Sequence, residues 1–126
     1  MISATALLID ALQQAGLQAG VSVPGNLRPP YEFVTVERVG GNVDLYGKRD
    51  TAAMVIEVYE KSMLAAEEVA ANIVIPLIVN LSQSVTAVLK TEITSHLDNP
   101  MPVGTSVVPC YEINVQITLE ANYGRK

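Results

Sequence analysis

The chain holds one cysteine, one histidine, one phenylalanine and no tryptophan in 126 residues. A lone Cys110 forms no intramolecular disulfide, which argues against a disulfide-built secreted scaffold. It sits just before a strand pattern, where a half-buried, unreactive thiol is expected. With His96 as the only histidine, a zinc site needs carboxylates at unusual spacing. A Ser/His/Asp triad would hang on the same residue, and there is no G-x-S-x-G elbow. Phosphate-binding loops of the G-x-x-x-x-G-K-[ST] and G-x-G-x-x-G kinds are absent. Gly40-Gly41 follows a strand but precedes no helix, so it is no phosphate cradle. Five tyrosines and one phenylalanine supply few stacking platforms for bases or sugars. No run of Lys or Arg exceeds two residues. Lys48-Arg49 and Arg125-Lys126 read as solvated charges, and the clustered footprint of a nucleic-acid binder is missing. The longest apolar run, Ile73–Val79, is broken by Pro76 and falls far short of the roughly 20 residues a membrane helix needs.

Charge itself is scarce. Asp, Glu, Lys and Arg make up 17% of the chain, against about 25% in typical domains. Apolar residues reach 49%. A single domain over residues 1–126 is expected, large enough to bury roughly two thirds of its unfolded surface without staples. A surface poor in charge is expected to be partly covered by other protein, which points to an oligomer. The net charge of −5 disfavours DNA binding and favours DNA repulsion. The opening MISATALLIDALQQAG lacks a basic n-region and contains Asp10, so it is not read as a signal peptide.

Periodicity supplies the elements. Residues 3–15 read as a helix capped by Ser3, with Leu7, Leu8, Ala11, Leu12 and Ala15 in one stripe and Gly16 as the stop. Residues 17–32 read as a loop, stiffened at its end by Pro29 and Pro30. Phe33–Val39 and Ala53–Glu60 read as strands, the second with Met54, Ile56 and Val58 on one face. The intervening GGNVDLYGKRDT reads as an extended β-arm or a flexible loop. A second helix over 62–80 is capped by Ser62 and presents Leu64, Val69, Ile73 and Leu77. Its Pro76 predicts either a stop near Val74 or a kink. Residues 84–94 read as a strand, and 96–109 as a proline-rich loop. In the last strand Tyr111, Ile113, Val115, Ile117 and Leu119 alternate with Glu112, Asn114, Gln116, Thr118 and Glu120. That period predicts a sheet with one covered and one wet face. In a ring the wet face lines a channel. The fold class is therefore α+β: a four-stranded, mainly antiparallel sheet with two helices on one face, in the order α-β-β-α-β-β.

The carboxylates Glu32, Glu37, Asp44, Glu57 and Glu60 are the candidates for acid–base work, but no spacing forces a pair together, and exposed strand-edge charges are the plainer reading. Within FVTVERVGG, Glu37 and Arg38 point to opposite sheet faces and cannot pair with each other. Gly40-Gly41 permits a positive φ or a bulge where the first strand ends.

The run Pro30–Gly41, then Asp44, the strand Met54–Tyr59, the alanine-rich Ala65–Ala70 and a Tyr-led final strand resemble the tail-terminator, or tail-completion, proteins of long-tailed bacteriophages, sometimes grouped with head–tail joining proteins. The match covers about residues 28–120 and rests on order and spacing. The resemblance implies a homohexameric ring on the end of the tail tube, which stops tube polymerisation and offers a surface to the head connector. It implies no enzymatic activity and no cofactor. The implied partners are further copies of the chain, the major tail tube protein and the head-completion protein, with DNA passing through unheld and no membrane. The implied location is the virion's tail–neck junction, and the host cytoplasm during assembly. Glu37, Arg38, Asp44, Lys48, Arg49, His96 and Asp98 are the expected interface residues, with Arg38 or Glu37 pairing across subunits and Asp44 the candidate partner for Arg38. Loops 42–52 and 96–109 are the expected contacts with the tube and the head, in either order. A neck stopper protein, a small-molecule-binding regulatory domain and a carboxylate enzyme stand as alternatives.

Overall fold

A computed structural model describes residues 3–29, 31–44 and 46–121; the expectations for Pro30 and for Arg125-Lys126 lie outside those residues. The first helix, α1, spans Ala4–Gln14. The Ser3 hydroxyl accepts from the Ala6 amide at 3.1 Å, one of the donors that a helix start leaves unpaired. Ala4, Leu8 and Leu12 are buried on its inner stripe. Gly16 ends it at φ +92°, a conformation that favours glycine.

The chain then makes a strand that the sequence pattern did not reveal. Ala19–Gly20 (β1) pairs parallel with Val34–Thr35. Strand β2 runs Phe33–Val43 and β3 runs Arg49–Tyr59. Cys110–Glu120 forms β7 and Val88–Asp98 forms β4. The sheet order is β1-β2-β3-β7-β4. The α+β class holds, but the sheet is five-stranded and mixed. Two residues carry no period, so β1 could not be read from a pattern.

The glycines do not end the first strand. Pairing slips at Val39, between Arg38 and Gly40, and then continues to Val43 opposite Asp50. The long connection is therefore a β-arm. At its tip the Asp44 carboxylate accepts from the amides of Tyr46 at 3.2 Å and Lys48 at 2.8 Å. That turn-closing role is ordinary for Asp.

The second helical stretch begins after Ser62, whose hydroxyl accepts from the Ala65 amide. It is a run of shorter pieces: α2 Met63–Val69, a π-helical turn Ala70–Val74, α3 Ile75–Val79 and α4 Leu81–Ser84. Pro76 lies in the first turn of α3. It cannot donate to the turn before it, and the wider π turn there accommodates a helix that continues without that bond. The inner face is Ala66, Ala70, Val74 and Ile78, all buried. The expected face is half right: Val69 and Leu77 are partly buried against the core, whereas Leu64 is 67% exposed and Ile73 37%. The small Ala66 and Ala70 let the helix sit close to the sheet at its start, and Leu64 turns outward.

Loop 96–109 is also corrected. Strand β4 continues through His96 to Asp98, and Met101–Val103 (β5) pairs with Ser106–Val108 (β6) as a small hairpin. The helices pack on one sheet face, where Leu8, Leu12, Val36, Met54, Ile56, Ile78, Ile113 and Ile117 form the main core. A second cluster of Tyr59, Val108 and Cys110 packs with Val23, Tyr31 and Met101. Two sheet edges are left open. Beyond Thr35 the outer edge of β2 has no strand partner among the described residues, and the outer edge of β4 has none along its length.

Candidate functional site

The sheet face opposite the helices is the candidate site. Strand parity sends one residue in two to each face, and the register stacks the outward ones into rows. Thr35, Glu57, Glu112 and Leu97 form one row across β2, β3, β7 and β4. Glu37, Val55, Asn114 and Ser95 form the next. Ala53, Gln116 and Glu92 follow, then Asn42, Thr51, Thr118 and Lys90, and finally Arg49 beside Glu120. Glu37, Glu57, Glu92 and Glu112 thus gather in the middle and toward the Tyr59 end, while Arg49, Lys90 and Glu120 lie at the arm end.

Glu57 and Glu112 stand directly opposite each other. Like charges so placed repel. Burial, above all, raises the Glu57 carboxyl above its ordinary range; the Thr35 hydroxyl opposes this, and the nearby Glu112 and Glu37 add to it. Thr35 Oγ1 donates to Glu57 Oε1 at 3.2 Å. The Glu112 carboxylate accepts from Asn99 Nδ2 and from Asn114 Nδ2, each at 2.9 Å. Asn114 also donates to Ser95 Oγ at 3.0 Å. The acids are held in place by two amides and a hydroxyl from two strands and a loop. At the arm end an open cavity of about 570 Å³ lies among Asn42, Asp44, Arg49, Thr51, Lys90 and Thr118.

The expected interface residues separate into three places. Glu37 is exposed on the open face. Arg38, Asp44, Lys48 and Arg49 belong to the arm. His96 and Asp98 lie on β4 at the far end, exposed, and on the helix side by register with Ile113 and Tyr111. His96 Nδ1 bonds the Tyr111 hydroxyl. Burial, with the acids Glu67 and Asp98 nearby, pushes the Tyr111 phenol up.

Arg38 does not pair with Asp44. Its Nη1 and Nη2 donate to the two Asp50 oxygens at 2.9 and 2.8 Å, and its Nε donates to the Gly40 carbonyl at 3.0 Å. Asp50 is fully buried. The fork-to-fork geometry fits guanidinium to carboxylate and raises Arg38 above its ordinary value, chiefly through that hydrogen bond. Sequence reasoning missed Asp50 because it began the strand at Ala53; the strand begins at Arg49, and parity then puts Asp50 with Ala52, Met54 and Ile56 on the core face.

Cys110 is fully buried, not half-buried, and burial pushes its thiol up to about 12. Among the described residues no three His, Cys, Asp or Glu side chains are grouped to hold a metal ion. No helix among them is long and apolar enough to cross a membrane. No protein-family model matches the chain, and no curated protein matches it in sequence.

Proposed function

We propose that the chain is a structural virion protein of a long-tailed bacteriophage, forming a ring on the end of the tail tube that stops polymerisation and receives the head connector. One observation carries this reading: a sheet face four strands wide carries no helix among the described residues, only its Tyr59 end being packed against Tyr31, Met101 and Val103, and it bears Glu37, Glu57, Glu92, Glu112 and Glu120 against Arg49 and Lys90. Turned toward a ring axis, that face makes a wet wall whose net charge repels phosphates, so DNA slides past without being held. The helices then face outward, with Leu64, Ile73 and Val79 exposed on that side. In this reading the protein carries no catalytic role and no cofactor, and it works at the tail–neck junction after assembly in the host cytoplasm.

The test is mass by light scattering over a concentration range, negative-stain images of the same sample, and addition of the protein to purified, still-polymerising tail tubes. Rings with an axial hole, or a monomer that caps tubes and arrests their growth, support the proposal. A compact dimer without an opening that leaves tube growth unchanged overturns it. In that case ligand-dependent melting shifts become the next measurement.

A further inference from the structure

We infer that copies of this chain join edge to edge, the outer edge of β4 in one copy pairing with the free length of β2, Val36–Val43, in the next. This deepens the ring reading and rests on it. Both edges belong to 11-residue strands. Each presents a row of backbone donors and acceptors, which soluble proteins ordinarily blunt with proline, charge or cover. Neither strand contains proline. Each is bulged, at Val39 on β2 and at Leu89 and Thr94 on β4, and carries exposed charges such as Glu37 and Lys90, yet each also exposes apolar side chains: Val39 and Val43 on β2, Leu89 and Leu97 on β4, between 44% and 58% exposed.

Direction decides the geometry. The pairs β2·β3, β3·β7 and β7·β4 are all antiparallel, so β2 and β4 run in opposite senses. A neighbour related by rotation about an axis along the strands therefore sets its β2 antiparallel to this β4, and the ladder continues in the pattern already inside the sheet. The short β1 occupies the β2 edge only at Val34–Thr35 and marks where the neighbour's strand must stop. Pairing β4 with β4, or β2 with β2, leaves the other edge open in each copy. Pairing unlike edges is heterologous and leaves none once the ring closes. It also continues the carboxylate rows from one subunit to the next.

Continued along the row of Glu37, Val55, Asn114 and Ser95, the join sets Ser95 of one copy near Glu37 of the next, and a stagger of two residues, about 7 Å, keeps the pair within a bismaleimide's reach. The experiment uses full-length Glu37→Cys, Ser95→Cys and the double variant, treated with a short bismaleimide. Cys110 is buried and stays silent. The expected result is a covalent ladder from the double variant and a linked dimer from the mixture of the two singles, with neither single linking to itself. Self-linking of one single variant shows like-to-like pairing and overturns the inference. Rings by negative stain with no linking in any sample also overturn it, while leaving the ring reading intact. Neither rings nor links, in a protein that also fails on tail tubes, overturns both. Val39→Lys and Leu97→Lys supply a second readout. Each is expected to keep the parent melting temperature and to weaken assembly by about tenfold or more; unchanged assembly counts against edge pairing.

Discussion

Arg38 and Asp50 form the most consequential pair of side chains in the molecule. Asp50 has no exposed surface, and Arg38 is 34% exposed. Removing one partner of such a pair leaves a buried charge, which costs about 3–5 kcal/mol, whereas replacing both with apolar groups is often neutral. Arg38→Ala is therefore expected to lose about 3 kcal/mol, a fall in melting temperature of roughly 10 °C for a domain of this size. Arg38→Met with Asp50→Leu is expected to recover most of that. Urea unfolding of the three proteins checks it, and a single-variant loss under about 1 kcal/mol would mean that water reaches Asp50. Glu57 gives a second prediction. Its carboxyl is raised in the folded state by burial and by Glu112 and Glu37. Its stabilising share is therefore present below its unfolded pKa and declines as pH rises through the folded value. Glu57→Gln retains an acceptor for Thr35 and removes the charge. The variant is expected to gain on the parent as pH rises from about 4 to 7, reaching about 0.5 kcal/mol. Melting curves at several pH values read this directly, and a difference independent of pH contradicts it. Asp44 has the opposite sign. The backbone amide of Lys48 chiefly lowers it, so its contribution is present near neutral pH and lost as pH falls through its depressed value.

The element scale turns on the β-arm. Gly41 has φ +131°, and a Cβ there would overlap the Thr51 carbonyl and come within 2.8 Å of Arg38 Nη2. Gly40 is different: its added Cβ would meet nothing nearer than Ala53 Cβ at 4.0 Å. Gly41→Ala is thus expected to cost about 2–3 kcal/mol, and Gly40→Ala no more than about 0.5 kcal/mol. Comparable losses at both positions would remove the link between Gly41 and the Arg38 latch. The sequence suggested that the glycine pair permits a positive φ or a bulge, but also that the strand stops there. A bulge lets the strand continue, and only the partner strand reveals that. Helix starts at Ser3 and Ser62 were legible because a cap is a local interaction. The inner face of the second helix was not, because choosing Ala66 and Ala70 over Leu64 depends on how close the sheet lies. The same holds for His96, which was read as a loop residue and sits on β4 because β7 pairs with it.

At the scale of the whole molecule, the two-faced sheet was legible from ten alternating residues of β7, since one buried face imposes a period of two. The candidate site was only half legible. Glu112, Asn114 and Glu120 follow from that alternation, but their meeting with Glu57, Glu37 and Glu92 is a property of register, which no single strand encodes. That register has a consequence for assembly. Five carboxylates against two cations on one face make closure of a ring work against its own charge. Glu37, Glu92 and Glu120 are exposed, and salt screens them, the Debye length falling from about 10 Å at 0.1 M salt to about 3 Å at 1 M. Ring formation is therefore expected to strengthen as sodium chloride rises from about 0.05 to 0.5 M, the reverse of an interface built on ion pairs. Glu57→Gln with Glu112→Gln is expected to flatten the dependence by raising assembly at low salt. Mass measurements at two salt concentrations on the parent and the double variant separate the cases. Assembly that weakens with salt in the parent, and is unmoved by the two substitutions, would place the carboxylates away from the axis and turn the helical layer inward.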